Sequence, residues 1–121
     1  MTLSTMEPNP AWDADSYPAV VDAFESLADG ATVHVWGADW CGDCRSQLPD
    51  FAAALDASGV DPEVYPVERG DDGKTGPNVE AYGVDLIPTV VVESPDGEEL
   101  ARFEERERQP PAQFLAAQLT D

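Results

Sequence analysis

The chain has 121 residues, which is enough for one compact domain with a buried core and too few for two. Its 25 acidic residues face six basic ones, so the formal net charge is -19 at pH 7, and a field of that sign repels nucleic acid and anionic membrane surfaces. Neither is therefore expected as a partner, and the 42% apolar content indicates a folded rather than a disordered chain.

Acidic residues occur along the whole chain, and Lys74 is the only lysine. Such uniform acidity with so little lysine resembles proteins of extreme halophiles, and the resemblance implies a surface adapted to concentrated salt. Because salt screens repulsion between exposed charges, we expect the protein to lose stability in dilute buffer.

The N-terminal sequence is not expected to act as a secretory signal. Residues 1–16 have neither a basic region nor an apolar stretch, and no run approaches the length of a transmembrane helix. We therefore expect a cytoplasmic protein, and separately we expect it to be a monomer. In that compartment a pair of cysteines is more often catalytic or metal-binding than a permanent disulfide.

Apolar periodicity predicts an N-terminal arm followed by a helix, a strand and a second helix. Residues 1–16 are expected to form an extended arm, and residues 17–121 a single domain. This domain begins with a helix over residues 18–28 and a strand over residues 32–36. The second helix is expected to start at the cysteine pair and to reach about residue 57. Its apolar stripe consists of Cys44, Leu48, Phe51 and Leu55.

The second half of the chain is predicted to contain three strands. The expected elements are, in order, an edge strand over 63–67, a polar loop over 69–76, a short helix near 77–82, a strand over 86–92, a turn at 94–97, a strand over 98–103 and a helix from Pro110. This order predicts an α/β fold with a central mixed four-stranded sheet flanked by helices on both faces, with room for a fifth, N-terminal strand. The first two strands should pair in parallel.

The most informative motif is Trp40-Cys41-Gly42-Asp43-Cys44, which contains both cysteines of the chain. Two thiols at this spacing, at a strand-to-helix junction, can close and reopen a disulfide without refolding of the domain. Cys41 lies at the predicted helix start, where the helix dipole and free N–H groups favour a nucleophilic thiolate. Cys44 lies one turn further, on the buried stripe, and is expected to resolve the mixed disulfide.

Metal chemistry is a weaker interpretation of the same residues. A zinc site built from Cys41, Cys44 and His34 would lack a fourth ligand. We therefore expect no metal, and we interpret His34, the only histidine, as a structural residue.

The cysteine motif resembles the Trp-Cys-Gly-Pro-Cys active site of the thioredoxin family. Pro49, eight residues after Cys41, is similar to the proline that bends the family's active-site helix. Ile87-Pro88-Thr89 is similar to the family's cis-proline segment, which faces the cysteines. The resemblance covers about residues 18–119 and implies a thioredoxin fold.

This resemblance also implies an activity. The protein would be a thiol–disulfide oxidoreductase that cycles Cys41 and Cys44 between dithiol and disulfide, through a mixed disulfide with protein or small-thiol substrates. It would use no bound cofactor and would depend on a separate reductase for its electrons. The surface around Cys41 would be formed by Trp40, Gly42, Asp43, Ile87, Pro88 and Thr89.

Three features depart from the family pattern. Asp43 replaces the usual proline, and Val35 occupies the strand position where typical thioredoxins bury an aspartate. No residue of the chain is matched to the lysine that partners this aspartate in the family. We expect the Asp43 carboxylate to oppose negative charge on Cys41 and so to make the protein a better reductant; Asp43→Pro should then raise the reduction potential. The alternative from another class is a non-enzymatic thioredoxin-fold adaptor or chaperone with a structural disulfide.

Overall fold

The structure is a computed structural model that describes residues 4–27, 30–70, 73–76, 78–84, 86–104 and 110–119. Its helices are α1 (Pro18–Glu25), α2 (Gly42–Ser58) and α3 (Pro111–Leu119), and its strands are β1 (Thr32–Gly37), β2 (Glu63–Pro66), β3 (Glu68–Gly70), β4 (Gly73–Thr75), β5 (Thr89–Glu93) and β6 (Glu99–Glu104). Four strands form a mixed sheet in the order β2-β1-β5-β6. The predicted α/β fold class is confirmed.

β1 is one of the two central strands of the sheet. β1 pairs in parallel with β2, as expected, and antiparallel with β5. Pro66 ends β2, which lies at an edge of the sheet, where the missing proline N–H costs no ladder hydrogen bond. The next residue still contacts β1, because the Val67 N–H donates to the Gly37 carbonyl oxygen at 2.9 Å.

Aromatic side chains connect the helices to one another and to the sheet. Phe24 of α1 meets Phe51 of α2 edge to face, with ring centroids 6.0 Å apart. Phe103 of β6 meets Phe114 of α3 in the same way at 5.9 Å. The predicted stripe of α2 is confirmed, since its members are 0–1% exposed: Cys44, Leu48, Phe51 and Leu55. Burial of such side chains is the main stabilising term of the fold.

A second group of rings, here called the aromatic cluster, comprises His34, Trp36, Tyr65 and Tyr82. Their ring centroids lie 4.9–5.8 Å apart in the five contacts that join them. His34 is 7% exposed and has a partner at each ring nitrogen: Nδ1 is 2.8 Å from the Tyr65 hydroxyl, and Nε2 is 3.2 Å from a carboxylate oxygen of Glu93. The Tyr82 hydroxyl donates to both oxygens of Glu93. The cluster therefore holds the turn that carries Tyr82 against the sheet.

Two predictions between β2 and β5 are wrong. The predicted polar loop contains the antiparallel pair β3–β4, with Glu68 opposite Thr75 and Gly70 opposite Gly73; glycines at such positions suit a tight reversal. The predicted short helix is replaced over residues 78–83 by successive turns. Asn78 has a φ of 61°, outside the helical region, and Pro77 lies outside the described residues.

The ends of the other helices follow local chemistry. α1 ends at Glu25, earlier than predicted, and the Ser26 hydroxyl donates to the Asp22 carbonyl oxygen of its last turn; residue 28, the predicted end, lies outside the described residues. α2 ends at Ser58, and Gly59 follows it with a φ of 72°, the left-handed conformation that glycine adopts at a helix C-terminus. In the described part of the chain, no helix is both long and apolar enough to cross a membrane.

The N-terminal segment is not a continuous extended arm. Its described part contains 3-10 turns at Ser4–Met6 and Ala14–Ser16. The Asn9 N–H donates to the Pro49 carbonyl oxygen at 3.0 Å, and the Asn9 side-chain amide donates to the Asp50 carboxylate at 2.7 Å. The segment is thus bound to α2 near its middle.

Candidate active site

Cys41 is the residue that caps the N-terminus of α2. Its backbone is extended (φ -90°, ψ 120°), and its sulfur accepts a hydrogen bond from the Cys44 N–H at 3.4 Å. The same sulfur lies 3.8 Å from the Ile87 carbonyl oxygen, to which the thiol donates. An N–H group directed at the sulfur stabilises negative charge there, as an N-cap oxygen is stabilised in other helices. The Cys41 side chain is half-buried, so a substrate can reach it.

Cys44 lies one turn further along α2 and is fully buried. Burial raises the pKa of its thiol far above the usual range, and a hydrogen bond with the Cys41 side chain and the nearby charges of Cys41 and Asp43 raise that pKa further. A hydrogen bond with the Ala38 backbone acts in the opposite direction. Cys44 is therefore a protonated thiol at neutral pH, next to the more accessible Cys41.

Trp40 lies beside the cysteine pair and is 39% exposed. Its indole N–H donates to the Val67 carbonyl oxygen at 3.2 Å. Gly76 packs against the same stretch of chain, since a Cβ on it would lie 2.9 Å from the Pro66 carbonyl oxygen. The backbone after β2 thus supports the ring of Trp40.

The segment Ile87-Pro88-Thr89 comes from the start of β5. This segment lies next to the cysteines, because the Ile87 carbonyl oxygen contacts the Cys41 sulfur. The peptide bond between Ile87 and Pro88 is cis. Thr89 is fully buried, and its hydroxyl donates to the Leu86 carbonyl oxygen at 2.6 Å. The sequence places this segment 46 residues from Cys41, and only the pairing of β5 with β1 makes them neighbours.

Gly42 and Asp43 form the exposed first turn of α2. The Gly42 carbonyl oxygen accepts from the Ser46 hydroxyl at 3.0 Å. Asp43 places a carboxylate at the positive end of the helix dipole, a position that favours acidic residues. The same carboxylate lies close enough to the cysteine pair to oppose negative charge on Cys44.

His34 belongs to the aromatic cluster, where both of its ring nitrogens have protein partners. Val35, which precedes Trp36 on β1, is fully buried. Within the described residues, no group of three or more His, Cys, Asp or Glu side chains is arranged to hold a metal ion.

Several neighbours of the site carry no signal in the sequence. The Arg45 guanidinium donates to the Asp39 carbonyl oxygen at 3.0 Å, and the Thr5 N–H donates to the Asp39 carboxylate at 3.0 Å. The contact between Thr5 and Asp39 spans 34 residues, and the one between Trp40 and Val67 spans 27. No local pattern could have predicted either contact.

Comparison with known proteins identifies the fold of the chain through solved structures. No protein-family model matches the chain, and no curated protein matches it. Among solved structures, a protein of unknown function from Pseudomonas aeruginosa is similar at a TM-score of 0.56 and 22% identity, over 88% of this chain and 68% of that one. A point mutant of thioredoxin from Halobacterium salinarum is similar at a TM-score of 0.50 and 24% identity, over 98% of this chain and 93% of that one.

A third similar structure is the DsbH oxidoreductase, with a TM-score of 0.50 and 16% identity over 99% of this chain and 91% of that one. At these identities the likeness concerns the fold. The mixed sheet, the three helices and these neighbours together show that the chain has a thioredoxin fold, with its cysteine pair at the N-terminal end of the helix that follows β1.

Proposed function

We propose that the protein is a thiol–disulfide oxidoreductase whose nucleophile is Cys41 and whose resolving thiol is Cys44. The observation that carries the proposal is the unequal placement of two neighbouring sulfurs. Cys41 is accessible and receives an N–H at the start of α2, whereas Cys44 is fully buried one turn away. In this arrangement the Cys41 sulfur can react with the substrate, while the Cys44 sulfur remains close enough to attack the resulting mixed disulfide.

The reaction is a two-electron exchange. The Cys41 thiolate attacks one sulfur of a substrate disulfide, forms a mixed disulfide and releases the first substrate thiol. Cys44 then attacks the Cys41 sulfur, which closes the Cys41–Cys44 disulfide and releases the second substrate thiol. The two thiol protons of the protein end on the two substrate thiols, so the protein is oxidised by two electrons and the substrate is reduced by two.

The second step depends on the burial of Cys44. Because its thiol stays protonated at neutral pH, its proton must leave as it attacks. The departing substrate thiolate is a suitable acceptor, since it gains negative charge in the same step. We expect resolution to be slower than attack, so that the mixed disulfide accumulates during turnover.

The substrates we propose are proteins with accessible disulfides. Trp40 offers a half-exposed ring beside Cys41, and the Ile87-Pro88-Thr89 segment lies against its sulfur. A substrate strand would lie across these two surfaces. The oxidised protein would be returned to the dithiol by a separate reductase, and the protein would act as a cytoplasmic monomer.

Insulin reduction with dithiothreitol tests the proposal. The wild-type protein should accelerate the precipitation of insulin chains, and Cys41→Ser should remove the acceleration entirely. Cys44→Ser should lose turnover but form one stable mixed disulfide per chain, which mass spectrometry after tryptic digestion would locate at residue 41. Turnover that persists in Cys41→Ser would refute the assignment. A wild-type protein that binds unfolded insulin without reducing it would favour the non-enzymatic adaptor.

A further inference from the structure

Residues 4–12, here called the strap, pack on α2 and are attached to it near the middle of the helix. The Asn9 N–H donates to the Pro49 carbonyl oxygen at 3.0 Å, and the Asn9 side-chain amide donates to the Asp50 carboxylate at 2.7 Å. Hydrogen bonds to ionised groups are about twice as strong as bonds between neutral groups. Asn9 therefore gives the strap a firm attachment to the helix.

A second attachment of the strap lies on the other side of the cysteine pair. The Thr5 N–H donates to a carboxylate oxygen of Asp39 at 3.0 Å. Asp39 lies two residues before Cys41, and Pro49 lies five residues after Cys44. The two attachments therefore bracket the stretch of chain that carries both sulfurs.

Pro49 interrupts the hydrogen bonding of α2 at the second attachment. A proline inside a helix has no N–H, so Pro49 cannot donate to the Arg45 carbonyl oxygen four residues earlier. The start of the helix, which carries Cys44, is thus joined to the rest of α2 by one internal bond fewer. The strap bonds to the helix at this interruption, where support from outside has the largest effect.

The conformation of Asn9 is fixed within the strap itself. Its side-chain oxygen accepts from the Ala11 N–H at 3.0 Å, and its carbonyl oxygen accepts from the Trp12 N–H at 3.1 Å. A side-chain bond to a backbone N–H two residues on is the local turn that asparagine favours. The two donors of Asn9 are therefore already directed at α2 before they bind.

Both ends of the strap are held by packing. Thr5 is 5% exposed, and Met6 packs against the hydrophobic core. At the other end, Trp12 also packs against the core and stacks on Tyr17, with ring centroids 5.2 Å apart. Because its ends are held in this way, the strap can restrain the part of α2 that it contacts.

We propose that Asn9 is a positioning residue for the second step of the reaction, in which Cys44 attacks the mixed disulfide at Cys41. The strap holds the interrupted part of α2 and the loop before Cys41 in one arrangement, and so keeps the two sulfurs in reach of each other. This inference rests on the proposed function, because it assigns a role in the same two-step exchange.

The two steps should depend on the strap to different degrees. Attack of one group on another in the same chain slows when their relative position becomes less defined, and a disulfide tolerates only a narrow geometry. Attack of Cys41 on an external disulfide needs no particular position of the Cys44 sulfur. The N–H that stabilises the Cys41 sulfur belongs to the first turn of α2, which Asn9 does not contact.

The reagent 5,5′-dithiobis(2-nitrobenzoate) separates the two steps. Cys41 displaces one nitrothiobenzoate thiolate and forms the mixed disulfide, and Cys44 then displaces the second and closes the Cys41–Cys44 disulfide. The protein is oxidised by two electrons, the reagent is reduced by two, and the two thiol protons pass to the buffer. The rate of the first step rises with reagent concentration, whereas the rate of the second does not.

The pre-reduced full-length protein, freed of reductant, would be mixed with this reagent in 2 M KCl, and the absorbance of the released thiolate followed by stopped flow. Asn9→Ala should slow the second phase by about threefold to tenfold, the range expected for loss of a hydrogen bond, and leave the first phase unchanged. Asp50→Ala removes the partner carboxylate of the same bond, with a residue that suits a helix, and should slow the second phase likewise.

Two variants serve as controls. Ser16→Ala removes a hydrogen bond between Ser16 and Asp13, which lies in the N-terminal segment but does not involve α2, and both phases should remain as in the wild type. Tyr65→Phe lowers the stability of the protein in the aromatic cluster, away from the strap. It should leave the second phase unchanged as well, because the effect of Asn9 is local.

A second phase that is unaltered in Asn9→Ala and Asp50→Ala would overturn the inference and leave the proposed function intact. Equal slowing of both phases in Asn9→Ala, or slowing of the second phase by Tyr65→Phe to the same degree, would overturn it as well. Release of one thiolate or none from the wild-type protein would instead contradict the proposed function itself.

Discussion

The indole N–H of Trp40 donates to the carbonyl oxygen of Val67, and this bond joins the residue before the nucleophile to the chain that leaves β2. Val67 in turn donates its own N–H to Gly37 at the end of β1. These two hydrogen bonds form a bridge from Trp40 through Val67 to Gly37, at the end of the sheet where the cysteine pair lies. The position of the Trp40 ring is therefore set by the sheet as well as by α2.

Trp40→Phe should loosen this bridge. A smaller aromatic ring remains but the N–H donor is lost, so we expect a destabilisation of about 0.5–1.5 kcal/mol from the missing hydrogen bond and faster amide exchange at Val67. Urea unfolding and hydrogen-exchange mass spectrometry measure the two effects. Trp12→Phe, where the ring stacks on Tyr17, is the control and should leave exchange at Val67 as in the wild type. Unchanged exchange in Trp40→Phe would show that the bridge does not hold the chain.

Asp43→Asn should make the protein a stronger oxidant. Removing the carboxylate from the first turn of α2 lowers the repulsion of negative charge at the cysteine pair and so favours the form that carries a thiolate. We expect the equilibrium constant with glutathione to shift by about two- to fivefold toward the dithiol, the range of an exposed charge pair. Asp96→Asn should leave it unchanged. A shift toward the disulfide would contradict the role given to Asp43, and Asp43→Pro should agree in sign with Asp43→Asn.

Stability of the reduced protein should fall as pH rises above about 8.5, the ordinary pKa of a thiol. In the unfolded chain Cys44 ionises near that pH, whereas burial raises its pKa in the folded state. The folded protein then holds more protons than the unfolded chain, and the free energy of unfolding decreases by up to about 1.4 kcal/mol per pH unit. Below pH 8.5 this contribution is fully present.

Urea unfolding between pH 7.5 and pH 9.5, with a phosphine reductant present, measures this dependence. Cys44→Ala retains Cys41 and every other titrating group, so the difference in slope between the two proteins belongs to residue 44. Parallel pH profiles would mean that the Cys44 thiol ionises equally in both states.

Tyr65→Phe should destabilise the aromatic cluster. The hydroxyl of Tyr65 lies 2.8 Å from Nδ1 of His34, and the Asn78 side chain hydrogen-bonds to the same hydroxyl. Its removal leaves a ring nitrogen of a residue that is 7% exposed without its partner, at a cost of about 1–3 kcal/mol. Tyr17→Phe removes an exposed hydroxyl while keeping the ring, and should cost far less in the same denaturation experiment. A smaller effect for Tyr65→Phe than for Tyr17→Phe would argue against the network.

The melting temperature should rise by several degrees between 0.05 M and 2 M KCl. A net charge of -19 destabilises the compact state through self-repulsion, and the screening length falls to about 3 Å at 1 M salt. The double variant Asp96→Asn/Glu98→Gln removes two exposed charges and should show a smaller salt dependence. A melting temperature independent of salt would contradict the expected adaptation to concentrated salt.

Local patterns in the sequence determine much of this protein. Periodicity over Cys44, Leu48, Phe51 and Leu55 specifies the buried side of α2, because residues three and four apart share one face of a helix. The same counting separates Cys44 from Cys41 by burial, and a proline in the second strand indicates an edge position. Each of these conclusions depends on residues within a few positions of one another.

Only the tertiary structure decides what surrounds the cysteine pair. The Ile87 carbonyl contacts Cys41, the Val67 carbonyl accepts from Trp40, and the Thr5 N–H donates to Asp39, and all three come from distant parts of the chain. Such contacts arise from sheet pairing and from the packing of the N-terminal segment on α2, and neither leaves a periodic trace in the sequence. The helix prediction near residues 77–82 is wrong for the same reason. Residues 78–83 form turns that place the Tyr82 hydroxyl on Glu93, and this tertiary contact outweighs the local helical propensity.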